Sequence, residues 1–153
     1  MTFRILTVRG KGSSRNSPPE RSQLTIQLPA VPQSAAKARA ALAEMLLRMQ
    51  LADLVDDASL LVSEMVTNAI IHGSGDQILR ADFTAGRLRV TVDDQNSTLI
   101  SRQSDTREED ERGRGLMLVD ALAHAWGVEA MPTGKRVWFE LYVTEKLPPP
   151  CQE

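Results

Sequence analysis

Ala58-Ser59-Leu60-Leu61-Val62-Ser63-Glu64-Met65-Val66-Thr67-Asn68-Ala69-Ile70-Ile71-His72-Gly73 is the stretch that decides how this chain folds. Apolar side chains recur on nearly every side of a helix drawn through it, the mark of a helix that is mostly buried. The helix is expected to run from Asp53 to about Ile71 and to stop at His72-Gly73-Ser74-Gly75, because glycine accepts the left-handed cap conformation. Ser63, Glu64, Thr67 and Asn68 interrupt the apolar pattern, and residues four apart share a helix face, so the four form one stripe. Two readings stand open. The stripe faces water, or Glu64 and Asn68 project into a cleft. In a cleft, an amide oxygen suits a hard cation and a carboxylate can take a proton from an attacking hydroxyl.

Outward from this helix the elements alternate clearly. Leu24 to Leu28 reads apolar-polar-apolar, the period of a half-buried strand, and Pro29 and Pro32 stop it. Ser34 is placed to cap a helix to about Met49, whose stripe is Ala38, Ala41, Leu42, Met45, Leu46 and Met49. After the long helix come strands near Ile78–Thr84 and Arg87–Asp93 around an Ala85-Gly86 hairpin turn. Residues 95–112 are polar and charged, a length of loop that in a compact domain is usually functional or mobile. Gly113-Arg114-Gly115 opens a helix from Leu116 to Ala125, and strands Trp126–Met131 and Arg136–Val143 flank a Pro132-Thr133-Gly134 turn. The order β-α-α-β-β-loop-α-β-β implies an α+β two-layer sandwich.

The chain has 153 residues, 42% hydrophobic and 25% charged, which suits one soluble domain with one core. No apolar run exceeds four residues, against the roughly 20 of a membrane-spanning helix, and no secretory signal is evident, so a cytoplasmic protein is expected. Cys151 is the only cysteine, which rules out an internal disulfide and a cysteine-based metal cluster. His72 and His124 are too far apart in sequence to suggest a zinc site. A net charge of −2 and 4% aromatic residues argue against direct nucleic-acid binding. Residues 1–22 carry five basic residues, one acid, glycines and prolines, and read as a flexible basic arm. Residues 145–153, with Pro148-Pro149-Pro150, read as a disordered tail, leaving 23–144 as the folded domain. Trp126 and Trp138 are expected in the core.

Two further places suggest a ligand. Asp94 ends an apolar strand (Leu88, Val90, Val92) where the sheet meets the long loop. The glycines of Gly113-x-Gly115 at a helix start would let backbone N–H groups approach an anion, which the helix dipole also favours.

In order, Leu61-Val62-Ser63-Glu64-Met65-Val66-Thr67-Asn68-Ala69 with His72-Gly73, Val90-Thr91-Val92-Asp93-Asp94, Gly113-Arg114-Gly115-Leu116-Met117-Leu118-Val119 and Val137-Trp138-Phe139-Glu140-Leu141 resemble the GHKL ATPase superfamily. Within it the chain is most similar to the anti-sigma-factor serine/threonine kinases and their actinobacterial histidine-kinase-like relatives. The resemblance covers about residues 24–143. It implies a mixed four- to five-stranded sheet backed by three helices, with ATP held between two helices under a lid contained in residues 95–112. Asn68 matches the asparagine that coordinates Mg²⁺ between the phosphates, and Glu64 the general base toward a serine hydroxyl on a partner. Asp94 matches the aspartate that reads the adenine amino group, and Gly113 and Gly115 the glycines that cradle phosphate. Arg112 and Arg114 are added as phosphate contacts from charge and position alone.

The implied activity is that of a kinase that phosphorylates a serine on an anti-anti-sigma (STAS-type) partner and so controls sigma-factor availability, as a homodimer. The alternative is a non-catalytic interaction module of the same fold that binds nucleotide weakly or not at all. Two positions depart from the family pattern. Asn96 stands at the third position of the Asp-x-Gly adenine motif, and Arg136 where a threonine or serine commonly helps hold the adenine. Arginine has no acceptor and needs more room, so Arg136 is expected to crowd the adenine end.

Overall fold

A computed structural model describes residues 4–10, 21–72, 75–95 and 119–143. In chain order these form β1 (Arg4–Gly10), β2 (Arg21–Leu28), α1 (Gln33–Arg48), a 3₁₀ turn (Ala52–Leu54), α2 (Val55–His72), β3 (Gln77–Thr84) and β4 (Arg87–Asp94). Residues 119–122 are the described part of a third helix, α3, and β5 (Ala125–Met131) and β6 (Gly134–Tyr142) complete the sheet.

The sheet is open, with strand order β1-β2-β3-β4-β6-β5, and every neighbouring pair is antiparallel. This corrects the expected mixed four- to five-stranded sheet: β2 to β6 supply five strands and β1 a sixth. The direction of β6 follows from the β5–β6 hairpin around Pro132-Thr133, which returns the chain beside β4 antiparallel to it. Residues 4–10, expected in a flexible arm, pair with β2 from Arg4 opposite Gln27 to Gly10 opposite Ser22. Composition misses this because β2 would otherwise be an edge strand with a free row of N–H and C=O groups, and a ladder needs only backbone. The expected tail of residues 145–153 lies outside the described residues.

Burial alternates strictly along β3 and is interrupted in β4 at Thr91, which is buried between Val90 and Val92. Leu79, Ala81 and Phe83 of β3 and Leu88, Val90 and Val92 of β4 are buried on the face covered by the helices. The turn between these strands has φ 53° at Ala85 and 75° at Gly86, the double positive φ of a type I′ hairpin. From the helix layer, Ala38, Leu42, Met45 and Leu46 of α1 and Leu61, Val62, Met65 and Val66 of α2 complete one core. α1 lies over β2, and α2 over β4 and β6.

Ser34 does not cap α1. It is fully buried in the first turn, its hydroxyl donates to the Pro29 carbonyl, and Pro32 holds the N-cap position. α3 is helical only to residue 122, because β5 takes over at Ala125. Neither tryptophan is fully buried. Trp138 lies on the sheet face away from the helices, beneath the Arg89 guanidinium at 4.2 Å, and Trp126 donates from Nε1 to Asp120 at 3.1 Å.

Candidate functional site

The polar stripe of α2 divides when packed. Ser63 is buried, and its Oγ donates to the Ser59 carbonyl at 2.8 Å and accepts from Arg39 at 3.3 Å. Thr67 is exposed. Glu64 and Asn68, one turn apart, are each half-buried along the border of the helix. The helix is less enclosed than its composition implies, since Leu60 and Ile71 stand 40% and 63% exposed.

Several chain ends meet at one end of the sheet: the C-terminus of α2, the start of β3, the end of β4 and the start of β6. Gly75, in the α2–β3 connection, lies against Gln95, the residue after β4; a Cβ on Gly75 would come within 2.9 Å of Gln95 Oε1. Asp94 is 5% exposed on the helix-covered face, in line with Val90 and Val92. A buried carboxylate at a strand end needs partners. One is Lys135, opposite it on β6, whose Nζ lies 3.6 Å from Asp94 Oδ2.

Arg136 occupies the other face, which overturns the expectation that it crowds the adenine end. Consecutive strand residues point to opposite faces, and Arg136 pairs across the ladder with Asp93, not Asp94. Its guanidinium grips the Asp93 carboxylate at both ends, Nε to Oδ1 at 2.6 Å and Nη2 to Oδ2 at 2.8 Å, while Arg80 adds a bond at 2.6 Å. The side chain that faces Asp94 is Lys135. The apolar residues Val137, Phe139 and Leu141 already carried that signal, because their parity sets Lys135 inward and Arg136 outward. The same parity from Leu79 and Ala81 sets Gln77 inward, a second residue that motif reading passes over.

The sheet face away from the helices carries a lattice of charges. Glu140, 6% exposed, accepts from Arg89 at 2.7 Å and from the Tyr142 hydroxyl at 2.8 Å. Burial pushes the Asp93 carboxyl up, but the hydrogen bonds and charges of Arg136 and Arg80 outweigh it and hold the group below its ordinary 3.8. A lowered native value means that this clamp stabilises the fold above the unfolded pKa and loses its effect as pH falls through the native one. Arg136→Gln is therefore expected to cost about 1–3 kcal/mol at neutral pH. In urea titrations the gap from wild type should close as pH drops from just above 3.8 through the lowered Asp93 value. A gap that persists at the acid end would contradict the assignment.

A separate cleft of about 360 Å³ lies at the far end of β6, between the 3₁₀ turn and His124, Tyr142 and Val143. Among the described residues, no three histidine, cysteine or acidic side chains come together to hold a metal ion. No described helix is long and apolar enough to cross a membrane. Arg112, Gly113, Arg114, Gly115 and Asn96, with nearly all of the expected lid, lie outside the described residues.

Comparison with known proteins agrees with this architecture. Among solved structures, one described as the RsbU and RsbW domains of Rv1364c from Mycobacterium tuberculosis aligns with 77% of this chain at a TM-score of 0.59 and 22% identity. The alignment covers 31% of that chain, so the present protein spans about a third of it and the likeness is one of fold. No curated protein sequence matches. The profile of the histidine kinase-like ATPase domain matches residues 28–141, from the last residue of β2 to the penultimate residue of β6. With three-quarters of its length under that one profile, its sheet open and antiparallel, and its helices on one face, the chain belongs to the histidine kinase-like ATPase domain family.

Proposed function

We propose that residues 23–144 form the ATP·Mg²⁺-binding domain of a cytoplasmic, homodimeric anti-sigma-factor serine kinase. Its substrate is a serine on an anti-anti-sigma partner of the STAS type, and its output is the availability of a sigma factor. The observation that carries this reading is the Glu64–Asn68 pair on the half-buried border of α2, a helix that lies over the strand ending at Asp94. Family membership implies nucleotide binding, and the fold likeness to a structure described as containing an RsbW domain supports the kinase class.

The side chains suit such a ligand. The Asn68 amide oxygen is a hard donor of the kind Mg²⁺ prefers, and the Asp94 carboxylate is an acceptor aimed into the helix-covered layer. When bound, ATP supplies the transferable phosphoryl group and Mg²⁺ offsets charge on the phosphates. Glu64 accepts the proton of the partner's serine hydroxyl at its carboxylate. Asp94 fixes the base, and Arg112, Gly113, Arg114 and Gly115 cradle the phosphates. Phosphorylation adds about −2 charge to the partner's contact surface, which releases the partner and frees this protein to hold the sigma factor.

Calorimetry with ATP·Mg²⁺ tests the cleft. Wild type is expected to bind in the micromolar range, Asn68→Ala at least about tenfold more weakly (about 1.4 kcal/mol), and Arg136→Gln within about twofold of wild type, since its side chain is on the far face. Equal affinity in wild type and Asn68→Ala would remove Asn68 from the site. One observation favours the non-catalytic alternative: Lys135 already stands against the base-reading carboxylate. Absence of wild-type binding at millimolar ATP would select that alternative.

A further inference from the structure

Gln77, the first residue of β3, has no exposed surface, and neither its Oε1 nor its Nε2 has a hydrogen-bond partner among the described residues. Native interiors rarely leave a buried carboxamide unsatisfied at both ends. Its place in the sheet says what would satisfy it. Gln77 lies opposite Leu28 of β2, and the β3–β4 register, with Ile78 opposite Asp93, sets Gln77 opposite Asp94 when continued by one residue. Asp94 in turn lies opposite Lys135. Gln77, Asp94 and Lys135 thus form one polar row across three adjacent strands, on the face that the helices cover. Directly opposed side chains on one face are within reach of a common ligand group. The rest of that face on β3 is apolar, with Leu79, Ala81 and Phe83 buried.

We infer that Gln77 is a second base-reading residue beside Asp94, selecting a base that carries an exocyclic amino group next to a ring nitrogen, as adenine does. The inference rests on the nucleotide reading of the site. An ionised carboxylate only accepts, whereas a carboxamide both accepts and donates. The two hydrogens of an adenine amino group satisfy the Asp94 carboxylate and the Gln77 carbonyl oxygen. The Gln77 NH₂ donates to the adjoining ring nitrogen, the bidentate pairing that glutamine makes with adenine elsewhere. Guanine would turn a carbonyl oxygen toward the carboxylate and leave two acceptors facing each other. The motif residues alone do not supply this second contact, because it depends on the side chain that happens to open β3.

The test is calorimetry on the full chain with ATP·Mg²⁺ and with the triphosphate of purine riboside, which lacks the amino group. Wild type, Gln77→Leu and Gln77→Met are compared, and thermal unfolding without nucleotide is recorded for each. Both variants are expected to unfold at or above the wild-type temperature, since an unpartnered buried amide is removed. Both should bind ATP at least about tenfold more weakly, and their preference for ATP over the purine riboside nucleotide should shrink by a similar factor. Wild-type ATP affinity in both variants would overturn the inference and assign Gln77 to packing or to a buried water, leaving the nucleotide reading intact. Loss of ATP binding together with a large fall in unfolding temperature in both variants would also overturn it, as a structural role. If wild type itself fails to bind ATP, the nucleotide reading fails first, and the inference falls with it.

Discussion

Glu64→Gln is expected to slow phosphoryl transfer to the partner's serine by about 10²–10⁴-fold while leaving ATP affinity within about twofold. The split follows from where Glu64 stands. It is one turn from Asn68 on the same border of α2, close enough to act on a nucleophile brought to the phosphates but not itself a cation ligand in the proposed arrangement. Glutamine keeps the size and the half-buried setting and removes only the ability to take a proton. Single-turnover transfer from radiolabelled ATP to a STAS partner measures the chemical step, and calorimetry measures binding. A variant that transfers at the wild-type rate would show that the serine proton leaves by another route. One that loses ATP binding as well would make Glu64 part of the nucleotide cleft instead of the base.

Gly134→Ala is expected to destabilise the fold by about 2–4 kcal/mol and to weaken ATP binding with it. A Cβ at this position would fall 2.0 Å from the Asp94 carbonyl oxygen and 2.8 Å from its carbon. Both are backbone atoms, so no side chain can rotate away. β4 and β6 would have to separate by an ångström or more at the end of the sheet that carries Asp94 and Lys135. The glycine is required here by contact, because its φ is not among the positive ones. Urea unfolding gives the stability term and calorimetry the affinity. An alanine variant within about 0.5 kcal/mol of wild type, the range of an ordinary surface change, would mean that the two strand ends slide apart freely and that Asp94 is not held in register.

Most elements were legible because their signals are local. The alternation in 78–84 and 87–93, the Ala85-Gly86 turn and the apolar length of α2 each depend on neighbours a few residues apart, and no end of these elements is shifted by more than two residues. The Glu64–Asn68 pair was legible for the same reason, since helix geometry fixes which residues share a face. Ser34 was misread because its hydroxyl found the Pro29 carbonyl instead of a helix N–H, a choice made by how the chain enters α1. Trp138 was misread because a large aromatic can be sheltered by an arginine as well as by a core.

By itself the sequence determined the α+β class and the order of helices and strands from residue 21 onward, and it set Glu64 and Asn68 on one helix face and Asp94 at a strand end, all of which follow from periodicity and short-range spacing. Only the tertiary structure decided that the sheet is wholly antiparallel, that β1 covers the edge of β2, that the partner Arg136 grips is Asp93, and that Gln77 and Lys135 flank Asp94. Those facts depend on which strands pair and in what register. Residues as far apart as 77, 94 and 135 become neighbours only when the ladder is closed, and a shift of one residue would reverse every face.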